Sequence, residues 1–129
     1  MLFPLFMRFF AIGCALVGVL HVTFGLGADN MLGAGLPFEV VSNPTLDSQN
    51  RFYGASFLLF GWVAWLCASD ILAYKKLFHG MMAVFFLSGV ARLISVFHYG
   101  FPSPPVIGLM AIELVLPPIL LIWVHRVSN

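Results

Sequence analysis

The chain has 129 residues, of which 61% are hydrophobic and only 9% charged, and its mean hydropathy is +1.02. Soluble domains carry roughly 25% charged residues, so the composition excludes a soluble module. The net charge of +1 and the lack of any basic stripe argue against a nucleic-acid partner.

Four long apolar runs use most of the chain: Leu5–Leu26, Phe52–Ser69, Leu77–Phe97 and Val106–Val124. Each approaches the ~20 residues that cross a hydrocarbon core of about 30 Å. The pattern predicts an all-α integral membrane protein of one domain, 1–129, with helices near 5–26, 45–69, 77–98 and 105–125 in an up-down bundle. The first run is longer than the core of a signal peptide, and Leu26-Gly27-Ala28 has Leu where a cleavage site wants a small residue. It is therefore read as a membrane helix.

On the first helix Cys14, Gly18, His21 and Gly25 recur on one face, a stripe of small residues that lets membrane helices approach closely. His21 is either an imidazole bonded to a neighbouring helix or a ligand or proton-handling group. The segment Ala28–Asn50 holds Asp29, Glu39 and Asp47 with no Lys or Arg before Arg51. Its Leu36–Val41 piece is amphipathic enough to lie at the interface or over the helix mouths. Asn43-Pro44 reads as an N-cap followed by the first helical residue. Asp47 and Arg51 are then one turn apart and can pair. An exposed pair stabilises little, so Arg51 is expected to be available for something else.

The second helix carries Asn50, Gly54, Phe57, Gly61, Ala64 and Ala68 on one face, again small and suited to packing. Such faces would also suit a homodimer or a partner membrane protein. Trp62 and Trp65 read as too deep for an interfacial belt. Asp70 to Lys76 is a short turn, and the third helix then aligns Ser88, Arg92 and Ser95.

An ionised side chain inside a membrane helix is costly and marks a partner or a function. Arg92 lies six residues before His98, about 9 Å below the following turn, and Glu113 lies eight residues after Pro105, about 12 Å below it. The two are nearly level, which predicts a pair. Pro117 and Pro118 lack N–H groups, so the carbonyls of Glu113 and Leu114 lose their helical donors. Acceptors of that kind in lipid need other partners or a wet cavity, and the same prolines can equally be a packing kink.

No cofactor or metal is expected. Cys14 and Cys67 lie in apolar runs without CxxC spacing, and the four His are scattered along the chain. Arg8, Lys75, Lys76 and Arg126 fall on one side of a four-pass chain, so both termini are expected to be cytoplasmic in a bacterial inner membrane. His21, Arg51, Tyr53, Arg92, His98 and Glu113 then share the outer third of the bilayer as a candidate ligand-binding set.

Three pieces in order carry a resemblance: Asp47-Ser48-Gln49-Asn50-Arg51-Phe52-Tyr53-Gly54-Ala55, Ala91-Arg92-Leu93-Ile94-Ser95, and Gly100-Phe101-Pro102-Ser103-Pro104 followed by Glu113. They resemble a family of small bacterial membrane proteins known as domain of unknown function 4345. The resemblance implies four membrane helices and signature positions at Arg51, Gly54, Arg92, Pro102 and Glu113. It implies no activity.

Three functions stay open. The chain binds or transports a small anionic or amphiphilic molecule or a lipid, using the bidentate donors of Arg51 and Arg92. Alternatively it is a non-catalytic accessory subunit in which Arg92–Glu113 is a structural ion pair. A third reading is a membrane-embedded isomerase with Glu113 as base and His21 or His98 as acid, although no catalytic motif supports it.

Overall fold

The structure, a computed structural model, describes residues 2–127. Among them there is no strand. Six helices follow one another: α1 (Leu2–Phe24), α2 (Leu26–Met31), α3 (Phe38–Val41), α4 (Pro44–Ser69), α5 (Lys75–Tyr99) and α6 (Pro104–Val127). The long ones, α1, α4, α5 and α6, are each long and apolar enough to cross a membrane. The chain divides between Ser69 and Asp70 into two compact units, one holding α1 to α4 and the other α5 and α6.

In the first unit α1 and α4 are antiparallel, as their close approaches show. A Cβ on Gly61 would meet the carbonyl oxygen of Ala11, one on Gly18 that of Gly54, and one on Gly54 the backbone nitrogen of Val22, all within 3 Å. The predicted small faces therefore turn on each other. Without hydrophobic drive between helices in lipid, backbone proximity is the main source of attraction. Here two glycines, Gly18 and Gly54, supply it at one crossing.

The first helix stops earlier than its hydropathy suggests. Gly25 adopts φ 56° and ψ −135°, a conformation that only glycine enters at low cost. The chain turns there into α2, which folds back beside α1 and α4. Asn30 then closes the following loop by pairing with both backbone groups of Leu36. Asn43 caps α4 as expected, its Oδ1 accepting from Thr45 N and Leu46 N, with Pro44 at the first helical position. Trp65 lies four residues before the end of α4, and the Arg8 guanidinium sits 5.8 Å from its ring centroid.

The second unit opens on a turn in which Asp70 Oδ1 accepts from Leu72 N and Ala73 N. Helices α5 and α6 form an antiparallel hairpin joined through Gly100 to Ser103, with Gly100 at φ 89°. Phe97, Tyr99 and Phe101 are exposed around this turn, where aromatic side chains suit a membrane–water interface. Helix α6 runs on through Pro117 and Pro118.

Candidate functional site

The six predicted site residues divide between the two units: His21, Arg51 and Tyr53 in the first, Arg92, His98 and Glu113 in the second.

In the first unit the polar groups gather where α1 breaks. After Gly25 the N–H of Leu26 no longer reaches Val22 but donates to Asp47 Oδ1 at 3.2 Å. The carbonyls of Val22 and Thr23 lose their helical donors, and both accept from one Nη of Arg51, at 2.7 and 3.0 Å. Arg51 Nε meanwhile donates to Asp47 Oδ2 at 2.7 Å. The pair thus answers both polarities of the break, a carboxylate for the orphan N–H and a guanidinium for the orphan carbonyls. The expectation that Arg51 would be spare is corrected. Its exposed ion pair alone is worth little, but the backbone acceptors tie it to the end of α1.

His21, only 8% exposed, sits one turn deeper. A carbonyl can only accept, so Nδ1 carries a proton and donates to Val17 O at 2.8 Å. Its Nε2 faces Asp29 Oδ1 at 3.4 Å, long for a hydrogen bond. Asn50 Nδ2 donates to the other oxygen of Asp29 at 2.6 Å, while Asn50 Oδ1 is buried with no partner among the described residues. Asp29 and Asn50 are the members that sequence reasoning missed. The signal was there for Asn50, which shares the small face of Gly54, but nothing local tells that α2 folds Asp29 back onto His21.

Tyr53 and His98 are exposed and make no hydrogen bond among the described residues; their rings meet those of their neighbours Phe52 and Tyr99. Among the described residues no group of His, Cys, Asp and Glu could hold a metal.

In the second unit Arg92 and Glu113 form the predicted pair, Nε donating to Oε2 at 2.8 Å. Glu113 is 2% exposed, whereas the Arg92 side chain is 33% exposed. Gly89 makes the approach possible, since a Cβ there would press on Leu114 and on Cβ of Glu113 within about 3 Å. Only Nε of Arg92 is engaged. Neither Nη group bonds to protein among the described residues, so four N–H donors remain on the outer side of the pair.

The arrangement coincides with the motif order read above, and a match to the family described as Domain of unknown function (DUF4345) covers residues 2–124. The chain belongs to that family. No protein of curated function and no solved structure matches it. In this DUF4345 member the residues on which the resemblance was read have distinct structural places. Arg51 secures the end of α1, Gly54 lets α1 and α4 touch, and Arg92 and Glu113 join α5 to α6.

Proposed function

We propose that this multi-pass membrane protein binds a small anionic or amphiphilic molecule, or a lipid headgroup, through Arg92. One observation carries the reading: Arg92 gives Nε to a buried carboxylate, and neither Nη group bonds to protein among the described residues while a third of its side chain is exposed. A guanidinium fixed at one edge presents a planar fork at the other, which suits the two oxygens of a carboxylate or phosphate. Glu113 holds that fork in place and offsets its charge within an apolar helix pair. The reading sets the chain in a bacterial cytoplasmic membrane with membrane lipids around it; a second copy or a partner membrane protein is compatible with it.

The test uses Arg92→Lys, which keeps the charge and a point contact to Glu113 but loses the fork. Thermal unfolding is followed against carboxylate- and phosphate-bearing amphiphiles. At least one should stabilise the wild type and not the variant. Equal shifts for both proteins with every compound would refute recognition by Arg92.

A second reading is favoured by the burial of Glu113 and the tight approach at Gly89. There the pair is a structural clip and the protein an accessory subunit. That reading expects no stabilising compound, and instead a membrane protein that copurifies with the wild type in mild detergent.

A further inference from the structure

Arg8 differs from Arg51 and Arg92, the arginines with carboxylate partners. Arg51 has Asp47 and Arg92 has Glu113, but Arg8 has no carboxylate or carbonyl partner among the described residues. Its guanidinium lies over the ring of Trp65, 5.8 Å from guanidinium carbon to ring centroid. A ring face attracts a cation, yet it accepts none of the five N–H donors in the way an oxygen does. The side chain therefore holds a fixed positive charge whose hydrogen-bonding capacity is unused by protein.

Its level in the membrane identifies what is near. Arg8 is six residues into α1, about 9 Å from the first residue, and Trp65 is about 6 Å from the last residue of α4. The 23 residues of α1 span about 35 Å, against a hydrocarbon core of about 30 Å. Centred on that core, α1 puts the backbone of Arg8 about 6 Å inside the hydrocarbon edge, within reach of the headgroups for an arginine that extends its head toward the interface. Trp65, near the end of α4, lies at the depth where Trp is enriched. The anions at that level are lipid phosphates. Toward the bilayer centre, Ile12 and Leu16 follow Arg8 on one face of α1, and Trp62 lies one turn from Trp65 on α4. All three are exposed and apolar, a surface along which an acyl chain can lie.

We propose that Arg8 and Trp65 form a binding site for an anionic phospholipid, with the guanidinium, held against the indole, receiving the phosphodiester. A net anionic lipid is preferred over a zwitterionic one because no carboxylate among the described residues neutralises Arg8, whereas a zwitterionic headgroup carries its own cation. This site is separate from Arg92 and does not depend on what Arg92 binds.

The experiment compares the purified chain in detergent with added phosphatidylglycerol, phosphatidylcholine or free glycerol 3-phosphate. Native mass spectrometry counts retained adducts and thermal unfolding gives the stabilisation. The wild type should retain phosphatidylglycerol and gain stability from it, with little effect of the other two compounds. Arg8→Gln should lower phosphatidylglycerol retention about fivefold, in line with one basic side chain near an anionic surface. Trp65→Leu keeps the charge and removes its platform, and it too should reduce retention; it serves also if Arg8→Gln is poorly folded. Undiminished retention by Arg8→Gln or by Trp65→Leu would overturn the site. Equal stabilisation by phosphatidylcholine would overturn the preference for anionic lipid. Stabilisation by glycerol 3-phosphate alone would make the ligand a free phosphate rather than a lipid.

Discussion

Arg51 and Asp47, one turn apart on α4, hold the two chemically opposite sides of the same break in α1. A membrane helix can end only where its last carbonyls and the next N–H groups find partners, because hydrocarbon supplies none. Gly25 sets the geometry of the break, and the Asp47–Arg51 pair satisfies it. A Cβ at Gly25 would also collide with the Asp47 carboxylate. The turn and the clamp are thus one device, and α2 can carry Asp29 to His21 and Asn50 because of it.

Arg51→Gln is therefore expected to destabilise the folded protein by about 1–2 kcal/mol, the range for charge-assisted hydrogen bonds discounted for a side chain that is 44% exposed. Asp47→Asn should also destabilise, since it weakens the acceptor of Leu26 N and Arg51 Nε. Because both act on one break, the double variant should lose less than the sum. Chemical unfolding in detergent checks this, and an Arg51→Gln protein as stable as wild type would mean that the clamp is idle.

The glycine contacts give a sharper contrast. At Gly54 an added Cβ lies 2.7 Å from Val22 N and 2.9 Å from Gly18 O, backbone atoms that cannot yield without moving a helix. Gly54→Ala is expected to destabilise by about 1–3 kcal/mol, as overpacking does. Gly13 has nothing within 4 Å of the same position, so Gly13→Ala should be neutral or stabilise by up to about 1 kcal/mol through helix propensity. Similar losses at both sites would show that helix propensity, not the α1–α4 contact, governs the response.

Much of this was legible in the sequence because the bilayer permits few solutions. Hydropathy located four long helices, Asn43-Pro44 marked the start of α4, and the levels of Arg92 and Glu113 paired them across a short turn. What was not legible depended on one dihedral angle. Gly25 looked like another member of a packing stripe, yet its positive φ ends the helix and redirects everything after it. Arg51 therefore read as a weakly held surface charge, although backbone carbonyls one helix away were its main partners. Asp29 read as a loop residue for the same reason, since its contact with His21 exists only once α2 has folded back.

The orientation is open to direct chemistry. The positive residues Arg8, Lys75, Lys76 and Arg126 predict a cytoplasmic turn between α4 and α5 and a periplasmic segment between α1 and α4. A Cys placed at Ser42, which is exposed, should react with a membrane-impermeant thiol reagent in intact cells, and one at Lys76 should react only after lysis. Cys14 and Cys67 are buried and contribute little background. Labelling of position 76 in intact cells would invert the protein.

The last prediction separates the two roles open to Arg92. As a charge pair with one partner almost wholly buried, Arg92 and Glu113 are coupled by burial: removing either strands the other. Arg92→Met leaves the Glu113 carboxylate, 2% exposed, without its cation, and should cost about 3–5 kcal/mol. Glu113→Gln leaves an arginine that is 33% exposed on its side chain and can turn toward polar surroundings, so its cost should be the smaller of the two. The double variant should lose less than the two single losses added together, since neither charge is then left behind. Strict additivity would deny the contact. The ligand measurement then discriminates: Glu113→Gln retains the guanidinium but frees its anchored edge. If Arg92 recognises an anion, Glu113→Gln should still be stabilised by whichever amphiphile stabilises the wild type, only more weakly, whereas Arg92→Met should not respond. A variant series in which stability falls but no compound ever distinguishes Arg92→Met from wild type would leave the pair as a clip between α5 and α6, and the binding proposal would fail.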